Sequence, residues 1–426
     1  MKKLSIPDWI PSYAILLLTL LLAAGIALFP GLSWIFLLLL CANIVFCVLN
    51  RKRFSPSAAV IFRCLVGALF IYSGFSKGVD PLGTQYVIHD YLEAFNLPWL
   101  TGLALSGSFF LNMLEFTLGV LLLFNVKIRY TAWITALMMA FFTVLTLNDA
   151  ISEPVPDCGC FGKALVITNW QTFYKNLVLD AGVLVVLFSM KNFTSRKSCR
   201  TDWSIVGITV LLFLGFEYYN YRYLPVINFL DWKEGVRLFP ENPLPVRHYL
   251  TYKDLRTGEE KEYLMSECPF GDAEWVANNE FVSRRDEDPN PQTANINIVE
   301  KTEEEDPGYD VTKTLLEQEN PLVLVAVYDL EAANAKGMEK TAEFVRMARE
   351  SGVDACFLTA SSMAQAETFR QKYGLEDFPF YYADNTSIKA VIRSNPGIVL
   401  VKNAYVLKLW DWRRLPSFNE AGVPTR

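Results

Sequence analysis

The sequence predicts a multi-domain protein: a polytopic α-helical membrane bundle of about seven spans, followed by an α/β domain outside the membrane. Three observations carry this. Residues 1–220 hold only 15 Lys+Arg and 11 Asp+Glu, whereas residues 221–426 hold 24 and 34. The first half breaks into apolar runs of near-bilayer length, and from Pro321 onward short apolar strands alternate with helical patterns. A single soluble globule is excluded, and so is a chain embedded in lipid throughout. The acidic second half would repel phosphate, which excludes nucleic acid as a partner.

The apolar runs are Tyr13 to Phe29, Leu32 to Leu49, Ser57 to Lys77, Leu103 to Phe124, Tyr130 to Leu147, Phe173 to Met190 and Trp203 to Phe216. The first two form an N-terminal hairpin within residues 1–52, the next four a module over 57–192, and the last a seventh span within 200–220. Trp34, Trp99, Trp133, Trp170 and Trp203 sit near run ends, where an amphipathic ring settles at the membrane interface. Lys2 and Lys3, then Arg51 to Arg53, then Lys127 and Arg129, then Lys191 to Arg200 fall at alternate connections. The positive-inside bias puts the N-terminus in the cytoplasm and residue 221 onward in the periplasm, for a bacterial cytoplasmic (inner) membrane protein. The first run has no small-residue cleavage site after it and reads as an uncleaved anchor.

Polar residues interrupt these spans. Arg63, Phe70 and Lys77 recur every seven residues, as do Gly67 and Gly74, so one side of the third span carries both charges and small residues that admit a close neighbour. The fourth span carries Asn112 and Glu115, and the sixth adds Lys175, Asn176 and Asp180. At about 1.5 Å per residue, Arg63 and Glu115 lie roughly 9 and 13 Å from the cytoplasmic ends of their runs, so an Arg63–Glu115 pair is feasible. Such groups are costly in lipid unless paired. They read either as a helix lock or as a proton or cofactor site built on Arg63, Lys77 and Glu115, with a quinone as the candidate cofactor.

Eight cysteines do not make a disulfide scaffold in a chain of 426 residues. Cys41, Cys47 and Cys64 read as small apolar residues within spans, and Cys199 faces the reducing cytoplasm. Cys268 and Cys356 either pair or stay apart. The exception is Asp157-Cys158-Gly159-Cys160-Phe161-Gly162, in the outer loop between the fifth and sixth spans. Gly159 removes the Cβ that would hinder a tight turn, and the small ring of a Cys158–Cys160 bond is strained and easily reduced. Lys163 favours a thiolate there and Asp157 opposes it. The pair is a candidate redox couple, with a static disulfide or a bridge to Cys268 as alternatives. A metal site would need two more ligands from a chain with only His89 and His248, so no metal is expected. Nearby, Thr84 to Phe95 is amphipathic, with Tyr86, Tyr91 and Phe95 suited to the interface and His89 beside them.

Arg63 to Gly67, Ser73-Gly74-Phe-Ser-Lys77, Asp80-Pro81-Leu82-Gly83, Glu115, Asp157 to Gly162 and Asn169 to Asn176 together resemble the DoxX-like membrane proteins of Bacteroidetes, grouped with the methylamine-utilisation MauE family. The resemblance covers about residues 57–192. It continues through Leu224-Pro225, Trp232 to Gly235, Thr257-Gly258 and Ile392 to Gly397. It implies thiol redox chemistry at the cytoplasmic membrane: MauE is associated with maturation of a disulfide-rich periplasmic dehydrogenase, and DoxX relatives with quinone-linked sulfur oxidation.

In the outer part, residues 221–320 read as a β-rich and acidic segment. His248 to Asp254 and Glu259 to Met265 flank a Thr-Gly turn as a hairpin, and 283–310 suggest an exposed loop. Over 321–426, strands at Leu322 to Tyr328, Val353 to Thr359, Phe378 to Tyr382, Ile398 to Lys402 and Tyr405 to Trp410 alternate with helices at Lys340 to Ser351 and Ala364 to Tyr373. This order suits a thioredoxin-like sheet, with Asn395-Pro396 where that fold usually has a cis-proline. The Cys-x-x-Cys of a redox thioredoxin is missing: Asp329 to Asn334 stand there, so the domain reads as a docking module for a periplasmic or envelope protein. Two functions follow. One is a membrane thiol–disulfide oxidoreductase that relays electrons through Cys158 and Cys160; the other is a non-catalytic scaffold or assembly factor.

Overall fold

The structure, a computed structural model, describes residues 56–155, 159–165, 167–193, 198–287, 289–290, 294–304 and 307–424, with four isolated positions before residue 56. Apart from those positions, the runs Tyr13 to Phe29 and Leu32 to Leu49 lie outside the described residues, as do Asp157 and Cys158. The chain divides into two compact units, Met1–Phe229 and Leu230–Arg426.

In the first unit α1 spans Pro56–Val79, α2 Pro81–Ala94, α3 Ala104–Leu123, α4 Ile128–Ser152, α5 Asn169–Phe188 and α6 Cys199–Arg222. Among the described residues five helices are long and apolar enough to cross a membrane: all of these except α2, with α3 extended back to Pro98 by a 3₁₀ turn. Asp80 separates α1 from α2. Its carboxylate accepts from Gly83 N–H (3.0 Å), and Pro81 takes a first-turn position that needs no N–H. Thr168 and Gln171 form a reciprocal capping box that starts α5.

Helices α1 and α3 run antiparallel and nearly touch. A Cβ on Gly74 would lie 2.6 Å from Phe116 N, and one on Gly119 would lie 2.6 Å from Ile71 N. The Gly67/Gly74 stripe thus admits the neighbouring backbone, as small residues do between helices in lipid. Outward positions are apolar, and Trp99, Trp133 and Trp203 are exposed near the helix ends.

In the second unit β1 (Arg247–Asp254) pairs with β2 (Glu260–Leu264) as expected, and also with β3 (Asn279–Glu287), which follows the short helix α7 (Ala273–Asn278). A seven-stranded sheet has the order β10-β9-β6-β7-β8-β4-β5. Its strands are β4 (Val299–Glu300), β5 (Tyr309–Asp310), β6 (Leu322–Ala326), β7 (Asp354–Thr359), β8 (Phe380–Tyr382), β9 (Gly397–Lys402) and β10 (Tyr405–Asp411). Helices α8 (Thr312–Leu316), α9 (Ala335–Glu350), α10 (Met363–Tyr373) and α11 (Asn385–Val391) complete the unit. Every residue of β6 is buried, as a central strand requires. The β9–β10 hairpin turns at Asn403 and Ala404, both with positive φ, the pattern of a tight two-residue turn. The Asn395–Pro396 peptide is cis.

The exposed loop expected over 283–310 is a departure. The segment supplies the end of β3 and all of β4 and β5, and it buries Ala294 and Ile298. Trp232, 1% exposed, donates its indole N–H to Ala294 O at 2.8 Å, so buried anchors separated by polar residues hold a stretch whose average composition is loop-like. Cys268 and Cys356 do not pair. Cys356 is buried inside β7, where burial pushes its thiol up, and Cys268 is a separate reduced thiol.

Candidate functional site

Part of the buried and half-buried polar set of the helical unit, including Ser73, Lys77, Glu115 and Asn176, lines a cavity of about 270 Å³. Its walls are mainly aromatic and aliphatic: Phe70 from α1, Leu111 from α3, Phe141 and Phe142 from α4, and Leu179 from α5. The amphipathic segment expected after the third span folds as α2 and lays Val87, Ile88, Tyr91 and Leu92 along one side. Tyr91 donates to Asp149 Oδ2 at 2.6 Å, which ties α2 to α4. His89 does not line the cavity and lies near Glu93 at 3.6 Å.

The polar floor comes from α1 and α3. Lys77 Nζ and Glu115 Oε2 are 2.5 Å apart and almost fully shielded from water. Ser73, one turn before Lys77, places its hydroxyl oxygen 2.9 Å from Glu115 Oε2 and 2.8 Å from the Cys160 carbonyl oxygen. From α5, Asn176 donates to Thr146 Oγ1 (3.0 Å), and the Lys175 ammonium lies 4.5 Å from the centre of the Phe161 ring. Asp180 accepts from Thr143 Oγ1 at 2.7 Å.

Arg63 is not part of this group, and the expected Arg63–Glu115 pair is not formed. Arg63 Nη1 donates to Leu122 O at 2.7 Å, and its guanidinium lies over the Phe193 ring. Side chains on a helix lean toward its N-terminus. In an antiparallel pair, Arg63 and Glu115 therefore lean apart, while Lys77 leans toward Glu115. Of the three charged residues expected to form one site, Lys77 and Glu115 meet, and Arg63 instead caps the C-terminal carbonyls of α3, about 21 Å away along α1.

The cysteine loop closes one end of the cavity. Gly159, Cys160 and Phe161 all line it. Gly159 has φ +62° and its missing Cβ would lie 3.0 Å from Val87, so both conformation and space call for glycine. Gly162 N–H donates to Gly159 O at 2.9 Å and closes the turn. Cys158, the other member of the expected pair, lies outside the described residues. No two described cysteines are joined to each other, and among the described residues no three His, Cys, Asp or Glu side chains cluster as a metal site.

Two features escaped the sequence reading. The Ser73 contact was hidden because a serine in a span carries no periodic signal. Glu217 was placed just beyond a run ending at Phe216, but α6 continues to Arg222 and buries it completely beside Gly78. Among the described residues neither of its carboxylate oxygens meets hydrogen-bond geometry, and the Asn112 side chain faces the carboxylate.

Together these helices define a polytopic membrane protein with a largely apolar cavity that holds the buried Lys77–Glu115 pair. Residues 55–189, about a third of the chain, match the family model described as methylamine utilisation protein MauE, so the segment that carries the cavity is MauE-like. No curated protein and no solved structure matches the chain. The lining suits a flat lipophilic ring bearing oxygen atoms, with apolar walls for the ring and Lys77, Ser73 and Glu115 for its polar edge.

Proposed function

We propose that the protein is an extracytoplasmic thiol–disulfide relay of the bacterial cytoplasmic membrane, with Cys158 and Cys160 as the exchanging pair. The observation that carries this reading is that Cys160 borders the same apolar cavity as the buried Lys77–Glu115 pair. Positive-inside bias supports a loop that faces the oxidising compartment, where a disulfide persists. Closing a dithiol to a disulfide releases two electrons and two protons, which need an acceptor. A quinone in the cavity would supply a two-electron, two-proton acceptor. The chain's own part is to exclude water with Phe70, Phe141 and Phe142, to offer donors from Lys77 and Ser73, and to hold Cys160 at the rim.

Thiol trapping in intact cells tests the relay. The Cys158/Cys160 redox state should shift when the supply of terminal electron acceptor changes, and one fixed state under all conditions would sink the idea.

A second reading has its own support. The loop Asp329 to Asn334 after β6 carries no cysteine, and Cys356 is buried in the sheet. A thioredoxin-like domain without its thiols suits a scaffold that grips an envelope protein. Cys158→Ser with Cys160→Ser separates the two: full function of a stable double variant favours the scaffold, and its loss favours the relay.

A further inference from the structure

We propose that Ser73 is a positioning residue that couples the Lys77–Glu115 pair to the seat of the cysteine loop; its functional meaning, though not its measurement, rests on the relay reading above. A serine hydroxyl carries one hydrogen. Two acceptors compete for it here, Glu115 Oε2 at 2.9 Å and the Cys160 carbonyl oxygen at 2.8 Å. Lys77 approaches the same Oε2 atom, at 2.5 Å, from the next turn of α1. The oxygen that Lys77 satisfies is therefore the one that competes with Cys160 for the hydrogen.

The sign of the coupling follows. While Lys77 donates to Oε2, the Ser73 hydrogen goes to the Cys160 carbonyl and seats the loop against α1. An oxygen-bearing ligand that draws Lys77 off Oε2 turns Ser73 toward the carboxylate, and the carbonyl loses that hydrogen. In the described part of the loop Gly159 and Gly162 both have positive φ, and Gly162 N–H donates to Gly159 O across the turn that carries Cys160. Occupation of the cavity thereby loosens the cysteine loop, so Cys160 is presented when the acceptor is in place.

The test is the alkylation rate of Cys160 by N-ethylmaleimide in the reduced full-length protein in nanodiscs, read by peptide mass spectrometry. A Cys158→Ser background prevents reoxidation of the pair. Ser73→Ala should react about five- to ten-fold faster, the loss of one ordinary hydrogen bond, and Ser73→Thr, which keeps the hydroxyl, should stay within about two-fold of the parent. Glu115→Gln should stay within about two-fold of the parent, because the hydroxyl hydrogen already goes to Cys160 and the new amide can donate to Ser73 Oγ without taking it. The Ser73→Ala/Glu115→Gln double variant should match Ser73→Ala alone. An unchanged rate in Ser73→Ala, or an acceleration in Glu115→Gln as large as in Ser73→Ala, would overturn the proposal, the latter because general loosening of the helix pair accelerates both. Alkylation consumes no electron acceptor. A relay that proves silent in cells therefore leaves these rates as expected, whereas unchanged rates remove the Ser73 role and leave the relay standing.

Discussion

In the helical unit the most exposed residues include large aliphatic ones, Leu137 at 67%, Val144 at 71% and Leu211 at 72%, while Asn112, Asp149 and Glu217 are fully buried. In the second unit the arrangement is reversed: Leu322 to Val327 are at most 2% exposed, and the surface carries ion pairs such as Arg285–Glu262 and Arg284–Asp286. The difference teaches which force holds each unit. Lipid removes the hydrophobic drive between helices, so close backbone packing and buried polar contacts hold the bundle. Water restores that drive for the sheet, where apolar burial dominates. The same contrast separates the thiols, since Cys160 borders a membrane cavity and Cys356 is sealed in a β-sheet core.

The largest expected break of this contrast is at the buried ion pair. Lys77→Met leaves the Glu115 carboxylate unpaired and should cost about 3–5 kcal/mol, visible as loss of the monodisperse protein on heating in detergent. The double variant Lys77→Met/Glu115→Leu should recover most of it, because it removes both charges together. A double variant as unstable as the single one would mean that the pair's individual contacts matter more than its charge balance.

A matched pair of leucine truncations sharpens the comparison. Leu324→Ala in β6 opens a cavity in the sheet core and should cost about 2–5 kcal/mol, read from denaturant unfolding. Leu211→Ala on the exposed face of α6 should change stability by at most about 0.5 kcal/mol in a lipid nanodisc. Equal losses at the two sites would contradict the assignment of that α6 face to lipid.

The smallest effect is electrostatic. The Asp286 carboxyl is held down to about 2, first by the Arg284 guanidinium and then by His248. A depressed carboxylate contributes stability above its ordinary value of about 4, and that contribution is lost as pH falls through about 2. Amide-exchange protection across β1 and β3 should therefore fall modestly between these values, and Asp286→Asn should flatten that dependence. The group is exposed, so added salt should weaken the effect in the parent protein.

Much of this architecture was legible in local pattern. The apolar runs marked all five described spanning helices, and the strand–helix alternation after Pro321 marked strands β6 to β10 with helices α9 and α10 between the first three. The amphipathic segment after α1 also proved to be a helix with one face on the cavity. The sheet positions of β4 and β5 were not legible, because strands of two residues leave no periodicity to read. Nor was the end of α6 legible, since the apolar run stops at Phe216 and the helix continues through polar residues to Arg222.

By itself the sequence determined the division into a charge-poor helical part and an acidic α/β part, the approximate places of the described spans, and the glycines that admit a close neighbour. Charge density and hydrophobic period act over a few residues, so they can be read in order along the chain. Only the tertiary structure decided that Glu115 meets Lys77 rather than Arg63, and that Ser73 stands between that pair and Cys160. Those contacts depend on the register of two antiparallel helices and on the direction their side chains lean, and helix pairing sets both across residues far apart in sequence.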